Sequence, residues 1–181
     1  MVDALVSNTS DSNIVPVRSR PWALSSFRMS ENTVSIERKQ LAIDKRYLGM
    51  ARIWASNSYC KRRQVGALIV RDKMIISDGY NGTPSGFENE CEDESSNTKS
   101  YVLHAEANAI TKVAKSNNSS EGSTLYITTS PCVECSKLII QAGILRVVYQ
   151  EKYRITDGLD LLERARIELV HIPELPAQAD F

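Results

Sequence analysis

Two short motifs constrain this chain more than any other feature of its sequence. The first is His104-Ala105-Glu106, and the second is Pro131-Cys132-Val133-Glu134-Cys135. One histidine and two cysteines are ligands that suit zinc, whereas the glutamate need not bind the metal. Structural zinc sites are usually closed by four protein ligands, while catalytic sites hold three and leave a position for water. The two motifs therefore predict a catalytic zinc site rather than a structural one.

The spacing within each motif fits a metal centre built at the starts of two helices. Cys132 and Cys135 are three residues apart, so both thiolates lie on one face of a first helical turn. His104 and Glu106 cannot share one helical stripe, so the histidine can face a metal while the glutamate lies beside it. A helix N-terminus also favours thiolate over thiol. The alternative, that the cysteines and the histidine are ordinary core residues, does not explain the glutamate spacing or the proline before Cys132.

The pattern H-x-E…P-C-x-x-C resembles that of the zinc nucleobase deaminases. From about Arg52 to Ile172 the chain also resembles the deoxycytidylate (dCMP) deaminase branch of the cytidine/deoxycytidylate zinc deaminase family. The Gly-Tyr-Asn-Gly loop and the Ile-Gln-Ala-Gly helix end are more specific to that branch than the catalytic pattern is. The stretches that carry the resemblance are Gln64-Val65-Gly66-Ala67, Gly79-Tyr80-Asn81-Gly82-Thr83-Pro84, His104-Ala105-Glu106-Ala107-Asn108-Ala109-Ile110, Ser130-Pro131-Cys132, Cys135 to Gly143, and Lys152-Tyr153.

This resemblance implies an enzyme that hydrolyses dCMP to dUMP and ammonia, supplying dUMP for thymidylate synthesis. It implies one catalytic Zn²⁺ held by His104, Cys132 and Cys135, with Glu106 as the catalytic proton shuttle. Family members are homo-oligomers, often hexamers, that dCTP activates and dTTP inhibits, and the glycine-rich loop at 79–86 is the candidate nucleotide site. Two alternatives stay open. One is another deaminase of this fold, acting on tRNA adenosine, guanine or a riboflavin precursor; the other is a non-catalytic module that binds zinc or a nucleotide.

The same resemblance suggests contacts to the substrate. Asn81 is a candidate to bind the sugar hydroxyl, although an asparagine in a turn is an equally good interpretation. Tyr153 resembles a substrate-contacting tyrosine of the family; otherwise it is a residue at a strand end. Lys61, Arg62 and Arg63 precede the first predicted strand and could meet a 5′-phosphate, or form a solvated basic turn.

Two further cysteines, Cys60 and Cys91, lie outside the motifs. Some dCMP deaminases carry a second, structural zinc built from cysteine and histidine. This chain has two histidines, and the second, His171, falls in the last predicted strand. Val102 stands just before the catalytic histidine and offers no ligand. Two cysteines alone cannot close a tetrahedral site, so we expect no second zinc and two free thiols.

Composition narrows the classes of partner. The 181 residues include 22 basic and 22 acidic side chains, giving a formal net charge of +0 and no global field to attract a nucleic-acid polymer. No apolar run approaches the roughly 18 residues that a membrane span needs. Two of the four cysteines form the C-x-x-C pair, which favours metal binding in a reducing compartment. We therefore predict a cytoplasmic protein whose ligand is a small nucleotide.

The order of predicted elements is α-β-β-α-β-α-β-α-β. An antiparallel hairpin that leads into parallel crossover units gives an α/β protein. The resemblance implies a three-layer αβα cytidine deaminase-like fold with a central five-stranded mixed sheet.

Residues 33–173 form the predicted deaminase domain, and 174–181 form a predicted tail. Residues 1–32 are rich in Ser and Asn, which predicts a disordered extension. The alternatives are a transit peptide and an added upstream segment. Ser130 is the predicted N-cap of the helix that carries the cysteines, and the first helix has a broad apolar face.

Overall fold

This computed structural model describes residues 31–175, with side chains from residue 33 onward. The predicted tail from 176 and the predicted extension up to 30 lie outside the described residues. Helix α1 begins at Glu31, two residues before the predicted start of the domain. No helix in the described range is long and apolar enough to cross a lipid bilayer. The elements in chain order are α1 (Glu31–Ala55), β1 (Gly66–Arg71), β2 (Met74–Tyr80), α2 (Ala105–Ala114), β3 (Thr124–Thr129), α3 (Val133–Gln141), β4 (Arg146–Glu151), α4 (Asp157–Arg164) and β5 (Glu168–His171).

The five strands form one mixed sheet in the order β2-β1-β3-β4-β5. Strands β1 and β2 are an antiparallel hairpin whose two turn residues, Asp72 and Lys73, both have positive φ, as a tight hairpin turn requires. Strand β3 is antiparallel to β1 and parallel to β4, and β4 is parallel to β5. The prediction of a five-stranded mixed sheet is confirmed. Parallel strands need crossovers, and α3 and α4 supply them.

Apolar side chains alternate between the two faces of the sheet and create two cores. On β1 and β3, for example, Ile69 and Leu125 face α2, α3 and α4, whereas Leu68 and Tyr126 face α1. This is the predicted three-layer arrangement. Because β1, β3 and β4 are covered on both faces, their buried residues are consecutive rather than alternating along each strand.

Helix α1 buries less of its apolar surface than the sequence predicts. Leu48 and Ala51 are fully buried against the sheet, but several large apolar side chains of the expected face are solvent-exposed. Met50, Ile53 and Trp54 lie within one helical turn and form an exposed apolar patch. Helical periodicity predicts the broad apolar face, but it does not show how wide the neighbouring layer is.

A buried ion pair joins α1 to the sheet. Asp44 is 2% exposed and accepts two hydrogen bonds from the Arg146 guanidinium, at 2.9 and 2.8 Å. The same carboxylate accepts hydrogen bonds from the Tyr126 hydroxyl and the Gln40 amide. Arg146 also pairs with Glu168 on β5. Because every charge has partners, this network fixes α1 against β3, β4 and β5 without leaving an isolated buried ion.

The other layer places α2 close to the edge of the sheet. Gly79 on β2 lies so near to α2 that a Cβ there would clash with the carbonyl oxygen of Ala105, the first residue of the helix. Ser77 donates a hydrogen bond to the carbonyl of Ala109, and Asn108 donates one to the carbonyl of Tyr80. These contacts fix the start of α2, where the histidine motif lies.

Candidate active site

The two motifs meet at the starts of α2 and α3. His104 is the N-cap residue of α2, and Cys132 is the N-cap residue of α3, with Cys135 in the first turn. The Nδ1 atom of His104 lies 3.4 Å from each cysteine sulfur, and all three potential ligand atoms lie within 4.8 Å of one another. In the described part of the chain this is the one group of three or more such side chains.

This group fits zinc. Zinc–nitrogen distances of roughly 2.0–2.1 Å and zinc–sulfur distances of about 2.3 Å at tetrahedral angles separate N and S by about 3.6 Å. Hydrogen bonds from Cys135 and His104 lower the pKa of the Cys132 thiol to about 3, while hydrogen bonding to Cys132 and burial raise the pKa of Cys135 above its ordinary range. A divalent cation bound between the two sulfurs would favour the thiolate form of both.

Glu106 is the second residue of α2 and is 4% exposed. Burial raises the pKa of its carboxyl to about 7, against the smaller lowering effects of a backbone hydrogen bond and of His104. It lines the same cavity as His104 and Cys132, beside the three-residue group. A carboxyl in this position can accept and return a proton near neutral pH without being needed as a ligand.

The start of α3 is held from behind by α4. The Ser136 hydroxyl is fully buried and lies 2.9 Å from the carbonyl oxygens of both Cys132 and Gly158. Gly158 leaves no room for a Cβ, which would clash with the carbonyl oxygen of Pro131. The position of the cysteine motif therefore depends on the close approach of α4.

The predicted N-cap was wrong. Ser130 is a buried residue after β3, and its hydroxyl accepts a hydrogen bond from the backbone N–H of Tyr153 at 2.8 Å. The helix starts later because Cys132 takes the extended N-cap conformation, with φ −78° and ψ 170°. Ser130 instead fixes Tyr153, which follows β4, in the wall of the cavity that His104 and Cys132 line.

A cavity of about 420 Å³ opens over these residues. It is within the range of small-molecule binding sites. Its wall contains His104, Glu106 and Cys132 together with the two predicted substrate contacts, Asn81 and Tyr153. The structure therefore brings most of the predicted site residues to one cavity, with Cys135 buried directly beneath it.

Three arginines line this cavity: Arg62, Arg63 and Arg154. Arg63 forms an ion pair with Glu151 at 3.4 Å, and both Arg63 and Arg154 lie over the Tyr153 ring, within 5.8 Å of its centroid. Among the described residues, neither Arg62 nor Arg154 has a carboxylate partner. Two positive charges in the wall therefore remain available to an anionic ligand.

The side chain of Asn81 is largely engaged by the backbone. Its carbonyl oxygen accepts a hydrogen bond from Val65 N–H at 2.8 Å, and its amide donates one to the carbonyl of Arg63 at 2.9 Å. Asn81 thus holds the segment that carries Arg63. One amide hydrogen of Asn81 remains for a ligand.

The expectation of two free thiols was wrong. Cys60 and Cys91 form a disulfide with Cα atoms 5.0 Å apart, and both residues are buried. Cys91 is 31 positions after Cys60 in the sequence, and the loop between β2 and α2 folds back to bring them together. Cys60 also lines the cavity, so the disulfide lies in its wall.

Comparison with known proteins agrees with this geometry. A sequence profile described as the cytidine and deoxycytidylate deaminase zinc-binding region matches residues 41–151. The chain belongs to the cytidine and deoxycytidylate deaminase family. The match covers all four residues of the proposed catalytic centre.

Individual members of this deaminase family align over most of the domain. The dCMP deaminase of cyanophage S-TIM5, solved in complex with dCMP and dUMP, is 47% identical with a TM-score of 0.71, over 72% of this chain and 97% of that one. The deoxycytidylate deaminase of Enterobacteria phage T4 is 32% identical over 70% of this chain and 88% of its own length. The ComE operon protein 2 of Bacillus subtilis is 35% identical over 76% of each chain.

Sequence reasoning missed two features of this deaminase site. Arg154 follows the predicted Tyr153 contact directly, and that adjacency is the signal that could have drawn attention to it. Of the three predicted phosphate-site cations, Lys61 lies outside the cavity that His104 and Cys132 line, whereas Arg62 and Arg63 lie in its wall. Ser136 gave no signal, because its role depends on the contact with α4.

Proposed function

We propose that this chain catalyses the hydrolytic deamination of dCMP to dUMP and ammonia. One observation carries the proposal: a His-Cys-Cys group with a buried glutamate shares a single cavity with two arginines that have no carboxylate partner among the described residues. The His-Cys-Cys group with its glutamate suits hydrolysis at a ring carbon, and the two arginines suit the binding of a phosphate. The named dCMP deaminases among its relatives support the same substrate.

His104, Cys132 and Cys135 are the proposed ligands of one catalytic zinc. Bound there, zinc would supply a nucleophilic water whose pKa is lowered to about 7. Glu106 accepts a proton from the attacking water and delivers it to N3 of the cytosine ring. It then accepts the remaining proton of the hydroxyl group now bonded to C4 and passes it to the departing amine, so that a C4 carbonyl forms as ammonia leaves. One carboxylate serves both transfers because each restores it for the next.

Arg154 and Arg62 are the proposed partners of the 5′-phosphate. Arginine binds phosphate oxygens in a bidentate fashion, and Arg63 is less available because Glu151 already pairs with it. Tyr153, whose ring lies close to both Arg63 and Arg154, is the proposed contact to the nucleotide. The remaining amide hydrogen of Asn81 is the proposed contact to the sugar.

The test is ammonia release followed side by side with dCMP, CMP, deoxycytidine and adenosine. We expect dCMP to be the best substrate by kcat/KM. Preferred turnover of adenosine would identify a different deaminase, and no turnover of any compound by zinc-loaded protein would indicate a non-catalytic module.

Substitution of the proposed phosphate contact sharpens this test. Arg154→Ala should raise the KM for dCMP about tenfold or more, because a charge-assisted hydrogen bond contributes roughly 1.5–3 kcal/mol. Arg38→Ala, an exposed arginine on α1, is the matched control. An unchanged KM in Arg154→Ala contradicts the assignment.

Regulation, assembly and location remain proposals. Activation by dCTP, inhibition by dTTP and the supply of dUMP for thymidylate synthesis rest on the family resemblance. A velocity curve that neither nucleotide changes would contradict the proposed regulation.

The exposed patch of Met50, Ile53 and Trp54 supports a homo-oligomer, since apolar patches on monomers mark interaction sites. Sedimentation of the full chain tests the proposed hexamer. The cytoplasmic location stays a prediction.

A further inference from the structure

The loop between β2 and α2 contains a small hairpin next to the cavity, formed by residues 91–99. The backbone N–H of Lys99 donates to the carbonyl of Cys91, and that of Asp93 donates to the carbonyl of Asn97. Glu92 and Thr98 face each other as an antiparallel bridge. We call this element the 91–99 hairpin.

One strand of the 91–99 hairpin is fastened to the backbone that carries Arg62. Glu92 Oε1 accepts hydrogen bonds from Lys61 N–H at 3.0 Å and from Arg62 N–H at 3.1 Å. One residue before Glu92, the Cys60–Cys91 disulfide links the same two segments covalently. The position of the Arg62 backbone is therefore set from the hairpin.

The other strand holds the Arg62 side chain. Arg62 Nη1 lies 3.4 Å from the Thr98 hydroxyl, a neutral partner that leaves the guanidinium charge uncompensated. Glu92 lines the same cavity, yet it forms no ion pair with the Arg62 guanidinium. Arg62, Glu92 and Thr98 all line the cavity.

A carboxylate in the wall of a phosphate site repels the phosphate, so its presence there needs a structural reason. Here its oxygen is engaged by two backbone donors, so it organises the loop rather than the ligand. We propose that Glu92 is a positioning residue for nucleotide selectivity, which, together with the Cys60–Cys91 disulfide, holds Arg62 toward the 5′-phosphate of the substrate. This inference rests on the proposed function.

The experiment measures kcat/KM for dCMP and for deoxycytidine on the zinc-loaded full chain, and the readout is their ratio. In Glu92→Ala the ratio should fall about tenfold or more, since one charge-assisted contact to phosphate is lost. In Glu92→Gln the ratio should stay within about threefold of wild type, because the amide oxygen can accept the same two N–H bonds. Arg62→Ala should match Glu92→Ala. Glu94→Ala, in the same hairpin and without a hydrogen bond or ion pair among the described residues, should leave the ratio unchanged.

Three results would overturn the inference: a wild-type ratio in Glu92→Ala, an equal fall in Glu92→Gln, or a wild-type ratio in Arg62→Ala. If Glu92→Ala does not fold, the ratios measured for Glu92→Gln and Arg62→Ala still test the inference. Failure of the proposed function looks different. The wild-type ratio is then already near one, and no variant can lower it.

Discussion

Gly158→Ala places a single methyl group between α4 and the cysteine motif. The new Cβ would clash with the carbonyl oxygen of Pro131 and lie 2.8 Å from the carbonyl carbon of Cys132 and 2.9 Å from the Ser136 hydroxyl. Two of these three atoms are backbone, so they cannot rotate away. Relief requires a shift of roughly 1 Å between α4 and α3, which is large beside the ±0.2 Å tolerance of zinc–ligand distances. We expect a loss of about 1–3 kcal/mol in unfolding free energy and a ten- to hundredfold loss in zinc affinity, the range seen when ligand-orienting contacts are lost.

The assay is urea unfolding of zinc-loaded protein, with zinc affinity measured by competition against a chromophoric chelator. Gly49→Ala is the matched control, because nothing lies within 4 Å of a Cβ at that helical position. It should be neutral or stabilise the protein by up to about 1 kcal/mol through helix propensity. Wild-type zinc affinity and stability in Gly158→Ala would show that the approach of α4 does not position the cysteines.

Two further predictions concern buried carboxylates. Glu106→Gln should lower kcat by on the order of 10²–10⁴ while zinc content, measured by atomic absorption, stays at the wild-type level; full activity with zinc bound refutes the proton-shuttle role. Asp44→Asn should cost about 3–5 kcal/mol in urea unfolding at pH 7, because Arg146 loses its buried partner. Burial opposes ionisation of Asp44, but hydrogen bonds from Arg146, Tyr126 and Gln40 outweigh it and hold the pKa of Asp44 below its ordinary value of 3.8. The stabilisation is therefore present above that pH, and the stability gap between wild type and Asp44→Asn should narrow as the pH falls below 3.8; a constant gap contradicts this reasoning.

Local signals were sufficient to predict most elements of this fold. The predicted antiparallel hairpin is formed by β1 and β2, and a turn and a glycine-rich loop bound β2 (Met74–Tyr80). The α3 boundary was wrong by about two residues, because Ser130 is a good N-cap in isolation and only the tertiary contact with Tyr153 engages it elsewhere. The exposed patch on α1 was not predicted, since periodicity does not reveal how far the opposing layer extends.

The chemistry of the site was more predictable from sequence than its walls. Three ligands and an acid within two short motifs leave few arrangements, and the structure brings all four together. The roles of the arginines could not be predicted in this way. A sequence does not show that Glu151 pairs with Arg63, or that Arg154 has no carboxylate partner in the described part of the chain. The pairing of Cys60 with Cys91 depends on the path of the loop between β2 and α2, which has no periodic pattern to predict it.

The division of the cavity between helices and loops suggests how one scaffold can serve different substrates. The proposed ligands and Glu106 lie at the starts of α2 and α3, where core packing, Gly79 and Gly158 set their positions. The arginines lie on loops whose positions depend on the 91–99 hairpin and the segment after β4. Loops can change without disturbing the core, whereas a shift of either helix alters the metal centre. Changes in the loops should therefore alter which nucleotide is bound, and changes behind α3 should alter whether any of them is hydrolysed.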